Sequence, residues 1–111
     1  MFRASVPVVS LTDEDLSVVF KALSNPTRVA ILRWLRDPGS FPPQDQPAEE
    51  VGVCAKHIQA RAGVSQSTAS QFMAVLQRAG LVTSQRIGQW THYRRNEERI
   101  AELASVIAAD L

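Results

Sequence analysis

Cysteine is almost missing from this chain of 111 residues, with Cys54 its single example. One thiol cannot close a disulfide within the chain, and neither a four-cysteine nor a CxxC zinc framework can be assembled from it. No apolar run approaches the roughly 20 residues that cross a bilayer, and residues 1–11 lack the basic start and long apolar stretch of a secretory leader. A cytoplasmic protein with no membrane partner is expected. Gly-rich phosphate loops and clustered metal ligands are also lacking, and histidine occurs only at His57 and His92. No acid between Val51 and Asn96 could orient either imidazole for proton transfer, which argues against an enzyme. Neither a catalytic residue nor a cofactor is expected.

That acid-free interval is itself the strongest signal. Residues 51–96 carry Lys56, Arg61, Arg78, Arg86, Arg94 and Arg95 and no carboxylate, for a net +6, whereas residues 1–50 come to −2 and residues 97–111 to −3. The whole-chain charge of +1 conceals this segregation. A surface that faces a polyanion needs such an interval, because one misplaced acid repels phosphate at short range. The remaining composition, 45% hydrophobic and 21% charged, is that of a packed globular protein, and the length allows a single domain over residues 1–111.

Helix signals open at Thr12, a capping residue followed by Asp13, Glu14 and Asp15 in the first turn, where carboxylates complement the helix dipole. Residues 1–11 before it read as an N-terminal arm. Leu16, Val19, Phe20 and Leu23 then recur at helical spacing. Asn25-Pro26 marks a second start, and the wide apolar arc of Val29, Ile31, Leu32, Trp34 and Leu35 predicts a central helix. Residues 37–50, DPGSFPPQDQPAEE, read as a proline-rich connecting segment without regular structure, either a flexible insertion or a segment ordered by a ligand or partner subunit. A helical pattern resumes near Cys54, breaks at Gly63-Val64-Ser65, and restarts with Ser65 as cap and Ala69, Phe72, Met73, Leu76 and Ala79 as one apolar face. Two short β-rich runs, within residues 81–95, flank Gly88-Gln89, which suits a type II′ hairpin turn. Residues 97–111 form a last helix, with Ile100, Leu103 and Ile107 along its stripe.

Two helices joined by a three-residue turn over residues 54–79, followed by a hairpin, make a helix-turn-helix with a wing. The fold class is therefore mainly α with a β-hairpin wing. On the second of those helices, Gln66, Ser67, Ser70, Gln71 and Gln77 occupy the side opposite the apolar face, with Thr68 in the first turn, and Gln66, Ser67, Thr68, Ser70 and Gln71 are the candidate DNA contacts. These groups hydrogen-bond without charge, as base edges require, whereas a merely solvated face commonly carries Glu and Lys. Arg86 and Gln89 on the hairpin are candidates for phosphate or minor-groove contact, and Arg94 and Arg95 at its base for either that role or bracing the last helix. Apolar stripes at both ends of the chain would leave one partly exposed in a single small domain. Leu16, Val19, Phe20, Leu23, Ile100, Leu103 and Ile107 are accordingly candidates for a dimer interface.

The segments FKALSNPTRVAILRWL, VCAKHIQARAGVSQSTASQFMAVLQRAGLV and RIGQWTHYRR resemble the ArsR/SmtB family of winged-helix transcriptional repressors. The resemblance implies a homodimer built from the first and last helices, a recognition helix beginning after Ser65, and repression at double-stranded operator DNA relieved by an inducer. Metal-sensing members carry a Cys-x-Cys pair at the start of the first helix-turn-helix helix, or Asp, His and Glu ligands on the last helix. Here the pair falls on Gly52 and Cys54, the last helix has no histidine, and His57 and His92 miss the family's ligand positions, so no metal site is expected. Cys54 is open to two readings, a small core residue or a redox-sensing thiol. The inducer is unassigned by these residues, and a winged-helix protein-interaction module is the alternative to a DNA-binding one.

Overall fold

Side-chain caps set the first two helices. In the computed structural model, which describes residues 11–111, Thr12 Oγ1 accepts from the Asp15 backbone N–H at 3.0 Å and Asp15 Oδ2 accepts from Thr12 N–H at 2.9 Å. This reciprocal capping box opens α1 (Asp13–Ala22). Residues 1–10 of the expected N-terminal arm lie outside the described residues, while Leu11 is buried in the core. Asn25 Oδ1 accepts from Arg28 N–H and starts α2 (Pro26–Leu35), with Pro26 at its first position. The Arg28 guanidinium then turns back to donate to the last carbonyls of α1, Ala22 at 2.8 Å and Lys21 at 3.0 Å, so one side chain ties the two helices.

The segment at residues 37–50 departs from expectation, because it is not without regular structure. Pro38–Ser40 form one 3-10 turn and Ala48–Val51 form the single-turn helix α3. Phe41 is buried, and the Arg61 guanidinium lies 4.8 Å from the ring centroids of both Phe41 and Trp34 while donating to Ser40 Oγ at 2.9 Å. A cation stacked between two aromatic faces anchors the segment through contacts that no local pattern announces.

A short strand, β1 (Val53–Cys54), follows at once and was not anticipated, since two residues are too few to display a strand's alternation. It pairs antiparallel with β3 (Trp90–Arg95), which pairs on its other edge with β2 (Val82–Ile87), giving the order β1-β3-β2. The outer edge of β1 is covered by the Gln44 side chain, which donates to Gly52 O at 2.8 Å and accepts from Cys54 N–H at 3.0 Å. At the hairpin, Ile87 pairs with Trp90 across Gly88-Gln89. Gly88 has φ +62° and no described non-glycine residue has positive φ, the pattern of a II′ turn.

The helix-turn-helix consists of α4 (Ala55–Ala62) and α5 (Gln66–Arg78). Gly63 closes α4 in the left-handed conformation, and Ser65 Oγ accepts from Thr68 N–H at 3.1 Å to open α5. The last helix, α6 (Glu97–Asp110), begins at Asn96, whose side chain accepts from Arg99 N–H. Ile31, Ile58, Met73, Leu76, Leu81, Val53 and Val82 are fully buried and form one core between the helices and the sheet.

Gly52 joins α3 to β1 with φ +97° and ψ 175°, a region essentially reserved to glycine, and a methyl group there would stand 2.6 Å from Tyr93 O. Gly63 has φ +68° but no atom within 4 Å of such a methyl group. Denaturant unfolding should therefore separate the two: Gly63→Ala is expected to cost about 1–2 kcal/mol from the left-handed backbone alone. Gly52→Ala should cost more than that, because the sheet itself must shift, and equal losses would show that the approach to Tyr93 is unimportant.

Candidate nucleic-acid interface

Helix α5 divides its surface by periodicity. Ala69, Met73 and Leu76 enter the core, with Phe72 and Val75 partly buried beside them, and Ser67, Gln71, Ala74 and Arg78 are exposed on the opposite side. Gln66 and Ser70 lie on the flank toward the hairpin. Gln77 shares that flank but donates to Ser84 Oγ at 3.0 Å, so it docks the helix on β2. Thr68 is half-buried, and its Oγ1 accepts from Ser65 Oγ at 2.9 Å, which commits it to the cap. Ser67 stays exposed, 3.3 Å from the same Ser65 oxygen.

Between α5, the start of α4 and the hairpin lies a cleft of about 290 Å³. Gln66 and Ser70 form one wall, Lys56 and Gln59 another, and Arg86, Gln89 and Trp90 the third, with no Asp or Glu among its described lining residues. The structure thus brings Gln66, Ser70, Arg86 and Gln89 together, with Ser67 and Gln71 on the adjoining outward face. Arg86 Nε donates to Gly88 O at 3.3 Å across the turn, and its side chain remains exposed. Lys56 Nζ sits 5.1 Å from the centroid of the Trp90 ring, a cation held over an aromatic face. Lys56, Gln59 and Trp90 line the cleft and were not singled out from sequence. Lys56 does belong to the acid-free interval, whereas Trp90 reads only as a strand residue.

The six cations of residues 51–96 divide in two. Arg61 is stacked on Trp34 and Phe41, Arg94 donates to the Glu50 carbonyl, and Arg95 pairs with Glu97 at 2.9 Å at the start of α6. Lys56, Arg78 and Arg86 are exposed, as Arg61 and Arg94 also are, but among the described residues no hydrogen bond or ion pair ties them to another element of the fold. Exposed cations thus stand beside uncharged donors and acceptors, the combination that phosphates and base edges call for.

Cys54 ends β1 directly before α4 and is buried, 3% exposed. Among the described residues no three of His, Cys, Asp and Glu converge to hold a metal ion. On the stripes proposed for dimerisation, Val19 has no exposed surface and Leu103 is 7% exposed, so both belong to the protomer's own core. One helical stripe serves the interior with its centre and the surface with its margins. Leu16, Leu23 and Ile100 are half-buried, while Phe20 and Ile107 expose 43% and 44% of their surface.

Comparison with known proteins agrees with this geometry. Residues 23–85 match the family described as a helix-turn-helix domain. The chain is similar to the HTH-type transcriptional regulator YbzH of Bacillus subtilis (strain 168), 42% identical over 84% of this chain and 95% of that one. It is 36% identical to a Halobacterium salinarum protein named as an arsenical resistance operon repressor, ArsR2, over 75% of this chain and 60% of that one. Among solved structures, it resembles the homodimeric winged helix-turn-helix DNA-binding domain (fragment 1-100) of an ArsR-family regulator from Mycobacterium bovis. The TM-score is 0.61 at 26% identity, covering 86% of this chain and 79% of that one.

Two substitutions test the division of labour on this surface. Gln71→Ala should weaken binding to a preferred duplex by about 1–3 kcal/mol while leaving random-sequence binding nearly unchanged. Arg86→Ala should weaken binding to all duplexes alike and reduce the salt slope by about 1. Both are read in fluorescence-anisotropy titrations, and an unaltered slope for Arg86→Ala would place the hairpin away from the DNA.

Proposed function

The chain belongs to the ArsR family of winged helix-turn-helix transcriptional regulators, and on that premise we propose that it is a sequence-specific repressor acting as a homodimer on a two-fold symmetric operator. In this reading, the N-terminal half of α5 enters the major groove with Gln66, Ser67, Ser70 and Gln71 toward base edges. Thr68 supports that end from within the cap. The hairpin reaches the flanking backbone or minor groove with Arg86 and Gln89, and Lys56 adds a phosphate contact from the start of α4. The observation that carries the reading is the cleft itself, where uncharged reading groups and exposed cations meet with no described carboxylate.

Dimerisation follows from the apolar surface left on the first and last helices. Phe20 on α1 and Ile107 on α6 expose large side chains that a monomer leaves in water. Pairing two copies buries them and doubles the base contacts, so the operator takes the symmetry of the protein. Bound there, the dimer holds transcription off until a signal lowers its affinity.

Counterion release provides the test. A dimer meeting about 4 to 8 phosphates should lose duplex affinity with a log-log salt slope of roughly −4 to −7. A flat response would instead favour a protein-binding module. In the same buffers, Phe20→Glu combined with Ile107→Glu should yield monomers by sedimentation, with operator affinity falling further than random-duplex affinity. A variant that stayed dimeric would move the interface elsewhere.

A further inference from the structure

Behind the DNA-facing cleft lies a second one of about 220 Å³. The proline-rich segment at residues 43–46 forms one side, Cys54 and His57 flank the start of α4, and Trp90 and His92 of β3 complete it. Cys54 and His92 are partners in the β1–β3 register, so their side chains leave the same face of the sheet, with Cβ atoms about 5 Å apart. Both are buried, Cys54 at 3% and His92 at 6% exposure.

Unsatisfied polar atoms and the size of this cleft point to a ligand. His92 and His57 both line it, and neither finds a hydrogen-bond partner for its Nδ1, although buried polar atoms are ordinarily satisfied. Burial, and then the charge of Lys56, lower the pKa of His57, so that ring is neutral at pH 7. Cavities of about 150 Å³ already admit one aromatic ring, and the apolar faces here are Pro43, Ile87 and Trp90.

We propose that this cleft takes a single-ring conjugated carbonyl compound of the quinone class and that Cys54 adds to it. The Cys54 sulfur forms a bond to a ring carbon conjugated to a carbonyl, and the ring double-bond electron pair shifts toward that carbonyl oxygen. The thiol proton passes to the His92 imidazole and from there to the same oxygen. The hydrogen on the attacked carbon moves to the second carbonyl oxygen, leaving a hydroquinone thioether that contains every atom of both reactants. The ring is reduced as the sulfur is arylated, and no other oxidant takes part.

The cleft is coupled to the DNA face through a shared wall. Lys56 and Trp90, in contact at 5.1 Å, line both clefts. A ring attached to Cys54 occupies the space against Trp90 and draws Lys56 from the phosphate, which is the release step if the DNA-binding reading above holds.

The experiment uses the full chain and 1,4-benzoquinone. Intact-mass spectrometry should find one adduct, at Cys54, forming at a rate that saturates with quinone and exceeds the rate for the same chain in denaturant. A linear dependence no faster than that of the unfolded chain overturns the site. Adduct formation should lower duplex affinity at least tenfold in the natural sequence and not in Cys54→Ser or Cys54→Ala. A full adduct with unchanged affinity overturns the coupling. Hydroquinone, similar in shape but not electrophilic, should have no effect, and equal release by it overturns the covalent step. Failure of the untreated chain to bind any duplex would sink the DNA reading, whereas the adduct kinetics judge the cleft independently.

Discussion

Strand β3 is paired along both edges, and this double pairing holds the recognition surface together. On one side it fixes β1, which runs without a break into α4. On the other it fixes β2, which follows α5 after a short turn closed at Gly80 and Leu81. The two helices of the helix-turn-helix and the hairpin thus take their mutual positions from one strand. Gly52 is the steric condition for this, since the α3–β1 junction passes so close to Tyr93 that a side chain has no room. A scaffold of this kind can present hydrogen-bonding side chains in a fixed register before DNA arrives, which limits the ordering cost of binding.

Much of this architecture was legible because it is local. Thr12, Asn25 and Ser65 announce their helices within three residues, and the alternation around Gly88-Gln89 announces the hairpin. The misses are non-local. The anchoring of residues 37–50 depends on Arg61 and on Gln44 meeting β1, partners that periodicity cannot reveal. The candidate site follows the same rule. Gln66, Ser70, Arg86 and Gln89 were nameable from helix phase and turn position, but the contribution of Lys56 and Trp90 arises only when α4 packs beside the hairpin. Helical phase also marks Val19 and Leu103 as apolar without telling whether their partners lie in the same chain.

The charge pattern shows both the strength and the limit of counting. An interval without acids does coincide with the cationic cleft, yet half of its cations serve the fold. Arg61 is an aromatic-stacked anchor, and Arg94 and Arg95 brace the α3 end and the α6 start. What the interval secures is therefore less a large positive charge than a surface free of opposing charge. In the proposed reading Lys56 and Arg86 orient the duplex, leaving discrimination to neutral groups that hydrogen-bond only when the correct edge is present.

The way Gln44 meets β1 has a consequence for how the sheet ends. Its carboxamide supplies one carbonyl and one amide, which match a single repeat of main-chain bonding at Gly52 and Cys54. A further strand in that place would carry its own unsatisfied rim and invite another copy to continue the stack. A side chain has no such far side. That edge of the sheet is thereby closed, and two molecules at high concentration find no ladder there to extend.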